Sequence, residues 1–106
     1  MNTTVYRLYV GLTDKDGQDV DHGYAIDVVI SALYEQDIHC ATIHNVLGLW
    51  HGVKEPSLVV EIIDIDGGPR LSGAIRAMAV ACKTKLNQHS VLVLVQSVGG
   101  QAAYAV

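Results

Sequence analysis

Apolar and polar residues alternate along residues 5–12: Tyr6, Leu8, Val10 and Leu12 fall on one face and Arg7 and Tyr9 on the other, the period of two of a half-buried strand. The pattern breaks over residues 13–21, which are rich in Asp, Lys, Gly and Gln; they read as a polar turn ending on Asp21, a suitable helix N-cap. From residue 22 to 36 the period lengthens, and Ile26, Val29, Ile30, Leu33 and Tyr34 make one helical stripe. Residues 39–50 and 57–65 are rich in Thr, Ile, Val and Leu and read as two further strands. Residues 51–56 between them are too few for a crossover helix, so the connection is antiparallel. Asp64-Ile65-Asp66-Gly67-Gly68-Pro69 is a turn with acceptors for helix N–H groups and a proline suited to a first helical turn. The second helix then runs to about residue 86 on a stripe of Leu71, Ile75, Met78, Ala79 and Cys82, kept narrow by Gly73, Ala74, Ala77 and Ala81. Residues 91–98 form a fourth strand, and Gly99-Gly100 is a hairpin signal returning the chain as a short fifth strand over 101–106.

The order β-α-β-β-α-β with a C-terminal extra strand is that of an α+β, ferredoxin-like domain, an antiparallel sheet with two helices on one face. At 106 residues the chain supports one core, so 1–106 is read as a single domain. The sheet face without helices carries Tyr9, Val59 and Ile63, too apolar to leave in water, and predicts self-association. Trimers built sheet-inward, as in PII-like proteins and divalent-cation tolerance proteins, are one solution, and a homotrimer is the expectation.

Composition narrows the function classes. Half the residues are hydrophobic and 17% are charged, a folded chain rather than a disordered one. The net charge is −4, and the cations Arg7, Lys15, Lys54, Arg70, Arg76, Lys83 and Lys85 are scattered, so no nucleic-acid surface is expected. The longest apolar runs fall far short of the roughly 20 residues that cross a bilayer, and the N-terminus lacks a basic region followed by an apolar stretch. Cys40 and Cys82 have no C-x-x-C spacing, which suits a reducing compartment; the expected location is cytoplasmic.

The candidate chemistry is sparse. His39, Cys40 and His44 lie close in sequence, but strand alternation sends positions 39 and 44 to opposite faces, so no metal is expected there. Gly67-Gly68-Pro69-Arg70 before a helix reads either as an anion site or, with no phosphate-loop pattern, as a plain turn. The most unusual stretch is residues 48–57, Gly-Leu-Trp-His-Gly-Val-Lys-Glu-Pro-Ser, read as the loop joining the two central strands. Trp50 beside Glu55, fixed by Pro56, could bind a flat or cationic ligand. Alternatively, Trp50 covers the core edge and Glu55 is solvated. Glu61, mid-strand among Val59, Val60, Ile62 and Ile63, reads as a second site carboxylate or as a charge at a strand edge or oligomer rim.

Several segments resemble a known family. Ala81-Cys82, Gln88, Ser90-Val91-Leu92-Val93 and Gln101-Ala102-Ala103-Tyr104-Ala105 are similar to the end of the small phage enzymes that degrade S-adenosylmethionine (SAM), once called hydrolases and better described as lyases. Lys54-Glu55-Pro56-Ser57-Leu58-Val59-Val60 resembles their segment in which a catalytic glutamate leads into a β-branched strand. The likeness spans roughly residues 48–106. It implies a PII-like trimer with substrate bound between subunits, SAM as substrate and no cofactor, and intramolecular cleavage to 5′-methylthioadenosine and homoserine lactone. It further implies a catalytic electrostatic role for Glu55, an aromatic wall of Trp50 and Tyr104, and hydrogen bonding to substrate by Ser57, Gln96 and Ser97. A phage enzyme of this kind would act in the host cytoplasm and blunt restriction. The start, residues 6–12, and the Gly-x-Trp…Glu-Pro-Ser stretch also resemble an uncharacterised bacterial family of similar size. A non-catalytic PII-like module that binds an adenine nucleotide or similar metabolite at the same cleft is the alternative.

Overall fold

Strand β1 (Thr3–Gly11) takes the middle of the sheet because its alternation is the most complete, with Tyr6, Leu8 and Val10 fully buried on one side. The computed structural model describes residues 2–99; the fifth strand expected over 101–106, and Tyr104 with it, lie outside these described residues. Helix α1 (His22–Glu35), β2 (Thr42–Trp50), β3 (Val53–Asp64), α2 (Ser72–Lys85) and β4 (Leu92–Val98) follow in the expected order. The four strands form one sheet in the order β2-β3-β1-β4, with every neighbouring pair antiparallel. This is the α+β, ferredoxin-like arrangement, with both helices on one face.

Asp21 caps α1 as its sequence predicts, its carboxylate accepting the Tyr24 N–H at 2.9 Å. The buried stripe of α1 is rotated from the expected one. Val29 and Leu33 are buried, but Ala25, Val28 and Ala32 join them, whereas Ile30 and Tyr34 face outward. Three small side chains let the helix lie close to the sheet, and that proximity outweighs the larger apolar area on the neighbouring stripe. Helix α2 buries Ile75, Met78, Ala79 and Cys82, with Leu71 partly covered, as its periodicity indicates. With Leu58, Val60 and Ile62 of β3 these side chains close one core, each large one stabilising the fold by about 1.5–3 kcal/mol.

The link between β2 and β3 differs most from the sequence reading. Residues 53–56 belong to β3, and the turn is only His51-Gly52, with φ of 48° and 79°. Two successive positive φ values are the signature of a type I′ hairpin. Leu49 pairs with Lys54 and Trp50 with Val53, so the supposed loop is the end of a long two-stranded arm. Pro56 is tolerated inside β3 by its position. Its carbonyl accepts the Leu12 N–H at 2.9 Å, so its nitrogen faces the side where β1 has ended, and the Leu12 carbonyl takes its hydrogen from Val20 instead.

The turn between β3 and α2 is structural. Pro69 precedes the helix, which begins at Ser72 rather than directly after the proline. Arg70 donates two hydrogen bonds, 2.7 and 2.9 Å, to the carboxylate of buried Asp64, a bidentate pair that commits the guanidinium to the turn. The Tyr6 hydroxyl accepts the Leu71 N–H at 3.2 Å, tying the helix start to β1.

Candidate functional site

Register places the outer face of the sheet, the one without helices, in detail. Gly11, Tyr9, Arg7 and Val5 of β1 stand opposite Ser57, Val59, Glu61 and Ile63 of β3, while Leu92 and Leu94 of β4 flank Tyr9 and Arg7. Ile63, Leu92 and Leu94 are exposed there, as the apolar composition of this face led us to expect. At its centre Arg7 donates to Glu61 at 2.8 Å and to Gln96 at 3.4 Å, and His44 stands 3.9 Å from the same carboxylate. Glu61 is therefore an ion-paired residue in the middle of the sheet, not a charge at a strand edge.

At the Gly11 end of this face a cleft of about 560 Å³ opens between the β2–β3 arm, the turn after β1 and the turn after α2. Glu55 lies on its wall. The Glu55 Oε1 atom accepts the Thr13 N–H at 3.2 Å, and the carboxylate occupies the space that a side chain at position 11 would fill. A Cβ on Gly11 would overlap Glu55 Oε1 and stand 3.1 Å from its Cδ. Gly11 is thus required by the carboxylate, because only a residue without Cβ lets Glu55 lie across the strand end.

Gln88 closes the floor. It is 8% exposed, and its Nε2 donates to the carbonyls of Leu86 at 3.1 Å and Thr13 at 3.4 Å, clamping the turn after β1 to the end of α2. Its Oε1 points to the same space above Gly11 that Glu55 enters. The turn itself is rigidly hydrogen-bonded. The Asp14 carboxylate accepts the N–H groups of Gln18 and Asp16, both at 2.9 Å, and the first of these holds its pKa below the usual carboxylate value. Lys15 N–H donates to the Asn87 carbonyl at 2.8 Å.

Trp50 and Ser57 also border this cleft. Trp50, at the end of the arm, is 63% exposed; its ring meets His51 edge-on at 4.7 Å between centroids and leaves a face open. It does not cover the core edge. The Ser57 hydroxyl donates to the Glu55 carbonyl at 3.4 Å. Gln96 and Ser97 are not brought to Glu55 within this chain. Gln96 pairs with Val5, at the far end of the face, and Ser97, one residue on, points to the opposite side of the sheet. Tyr104 lies outside the described residues. The residues that sequence reasoning missed are Tyr9, Gly11, Thr13, Gln88 and Leu92. The alternation of β1 already put Tyr9 on this face; the others come from turns and a strand partner that only the register identifies.

The histidines sit apart. Strand β2 begins at Thr42, so His39 and Cys40 belong to the preceding turn and not to a strand. His39 bonds to Asp37 at 2.7 Å, and His44 faces Glu61. No helix among the described residues is long and apolar enough to cross a membrane.

No protein-family model and no curated protein sequence matches the chain. Solved structures do. The chain is similar to a phage SAM lyase in its apo state, with a TM-score of 0.76, 25% identity, and coverage of 89% of this chain and 79% of that one. It is similar to a phage SAM lyase in complex with S-methyl-5′-thioadenosine at a TM-score of 0.74 and 21% identity over 96% and 93% of the two chains. A DUF3240 family protein from Shewanella baltica matches at a TM-score of 0.63 and 12% identity, covering 97% of each chain. The chain therefore has the fold of the phage SAM lyases, and the likeness extends well beyond residues 48–106.

Proposed function

We propose that this protein is a SAM lyase that cleaves SAM within the cleft beside Glu55, the site being completed by a neighbouring copy in a homotrimer. The observation that carries this reading is a carboxylate held on the wall of an open, largely apolar cleft, in a chain with the phage SAM lyase fold. In the reaction the substrate's own carboxylate oxygen attacks its γ-carbon, the C–S bond breaks, and its electron pair returns to sulfur. The sulfonium becomes the thioether 5′-methylthioadenosine, the methionine-derived fragment closes as homoserine lactone, and no water is consumed. A cation and an anion neutralise each other in that step, so a drier site lowers the barrier, and holding the folded-back conformer supplies the remainder.

Glu55 takes the electrostatic role. Fixed by Thr13 N–H at 3.2 Å, it receives the substrate's ammonium and orients the amino-acid arm, while Trp50 offers an open aromatic face to the adenine or sulfonium. Ser57 is a hydrogen-bonding group within reach of the same ligand. Association through Tyr9, Leu92 and Leu94 would cover the exposed outer face and exclude water from the cleft. If the host is infected by a phage encoding this protein, depletion of SAM in its cytoplasm would blunt restriction.

The alternative is a non-catalytic module that binds an adenine-containing metabolite in this cleft. Incubation of the purified protein with SAM separates the two. The lyase releases 5′-methylthioadenosine and homoserine lactone in equal amounts, detected by liquid chromatography with mass detection, whereas a binding module retains SAM intact.

A further inference from the structure

Strand β2 carries a glycine in its interior, Gly48, that the fold itself does not require. Its φ is not positive, and the pairing around it runs without a bulge, Leu47 with Pro56, Gly48 with Glu55 and Leu49 with Lys54. Nor is the space above it taken by a side chain of the described residues. The nearest atoms to a Cβ built there would be the Ser57 Oγ at 3.1 Å and the Glu55 carbonyl oxygen at 3.4 Å, and turning one hydroxyl makes room. Gly11 is different, since the Glu55 carboxylate fills the place of its missing side chain. Gly48 lines the same cleft as Trp50 and Glu55, and register puts it with both on the outer face, between Val46 and Trp50 on its own strand. An interior glycine weakens a strand, and where no turn or bulge uses it, it marks a place where another group comes close to the backbone. Residues 100–106 of the same chain do not supply that group: seven residues span at most about 25 Å. Val98 pairs with Thr3, at the end of β1 away from Gly11, which puts Gly48 more than about 30 Å from it along the sheet.

We infer that Gly48 is a specificity-determining position: its bare backbone is the bed of a slot, walled by the Trp50 indole, that takes the adenine ring of the substrate. The inference deepens the lyase reading and rests on it for the identity of the ligand. Along one face of β2 the interval from Val46 to Trp50 is about 13 Å between Cα atoms, and without a side chain at position 48 a flat ring fits there beside the indole. An offset stack on the open face of Trp50 is the arrangement that two aromatic systems favour. The Glu55 carboxylate, lying across the end of β1 above Gly11, is two strand spacings from Gly48, about 10 Å. The ribose, the sulfur and the two methylenes of the amino-acid arm bridge that interval. Adenine in the slot therefore directs the substrate's ammonium to Glu55 and holds the sulfonium between them, over β3. This gives Trp50 to the adenine and not to the sulfonium.

The test uses Trp50 as its own reporter, since it is the single tryptophan of the chain. 5′-Methylthioadenosine, which carries the adenine but neither the charge nor the amino-acid arm, is titrated into the full chain and into Gly48→Ala and Gly48→Val. The expected result is quenching of Trp50 fluorescence in the unaltered protein, with Kd raised at least threefold by alanine and at least tenfold by valine. The urea midpoints of both variants should equal or exceed that of the unaltered protein, because either side chain suits a strand better than glycine; should valine lower it, the alanine variant carries the test. In turnover, KM for SAM should rise with Kd while kcat changes less than twofold, the split that marks lost ligand binding. Absence of quenching, or unchanged affinity in the variants, would overturn the slot even in a protein that cleaves SAM. A loss in Gly48→Ala that disappears in a Ser57→Ala background would trace to the displaced hydroxyl and overturn it as well. Binding of 5′-methylthioadenosine needs no turnover, so the predicted losses in a protein that leaves SAM intact would support the slot and refute the lyase alone.

Discussion

Gly11→Ala isolates the part of the site that the backbone builds. The added methyl would overlap Glu55 Oε1, lie 3.1 Å from its Cδ and 3.2 Å from Gln88 Oε1. Gln88 is buried and holds two carbonyls, so the Glu55 carboxylate must yield. A retreat of about 1 Å restores van der Waals separation. The same movement takes the 3.2 Å bond from Thr13 N–H beyond hydrogen-bonding range. A hydrogen bond to a charged group contributes about 1.5–3 kcal/mol; with the cleft open to water, the lower end applies. Alanine in a strand recovers roughly 0.5–1 kcal/mol over glycine, leaving a net destabilisation of about 1 kcal/mol, read from urea unfolding. On the proposed function, kcat/KM for SAM falls at least tenfold, since about 1.4 kcal/mol of lost orientation is a factor of ten. A double-mutant cycle with Glu55→Ala makes the reasoning refutable: once the carboxylate is gone the new methyl meets nothing from it, so Gly11→Ala should no longer destabilise. An equal cost in both backgrounds would show that Gly11 acts through something other than Glu55.

Three further outcomes are expected. Arg70→Ala should lower the urea midpoint, because it strips a buried Asp64 carboxylate of both its bonds; an unchanged midpoint would refute the structural role given to that turn. Burial pushes the Cys82 thiol up to about 11 from an ordinary 9.0, so the native state keeps a proton that the unfolded chain loses above pH 9. Stability from this group is intact below pH 9 and falls through pH 11, by roughly 2–3 kcal/mol in all; Cys82→Ala should show a shallower alkaline decline, and an unchanged slope would contradict the assignment. In the native protein at pH 8 a thiol reagent should modify exposed Cys40 quickly and buried Cys82 only on unfolding, and equal rates would contradict the burial of α2 against the sheet.

The fold was legible because its strongest signals are local. Alternation in β1, the Asp21 cap and the α2 stripe each depend on neighbours within a few residues, and together they order the elements. The α1 stripe was misplaced because Ala25 and Ala32 carry little hydrophobic weight in a sequence pattern but allow the closest approach to the sheet. Pro56 suggested a loop where there is a strand, since whether a missing N–H matters depends on which side of β3 has a partner, and that is a long-range fact. The site followed the same division. Glu55, Trp50 and Ser57 were visible as an unusual stretch, and the structure gathers them at one cleft. Gly11 and Gln88 were not, because their roles arise from contacts spanning 44 and 75 positions, between Gly11 and Glu55 and between Thr13 and Gln88. Gln96 and Ser97 were grouped with them by the family resemblance, and within one chain the register holds them at the opposite end of the sheet from Glu55.

The most direct test of the lyase reading is the fate of SAM itself. Purified protein and its Glu55→Gln variant are incubated with SAM, and 5′-methylthioadenosine and homoserine lactone are quantified against time. Matched appearance of both products with the unaltered protein, reduced at least a hundredfold in Glu55→Gln while the variant keeps its urea midpoint within about 1 kcal/mol, is the predicted result. SAM left intact by the folded protein would contradict the enzyme, and full turnover by Glu55→Gln would contradict the role given to its carboxylate.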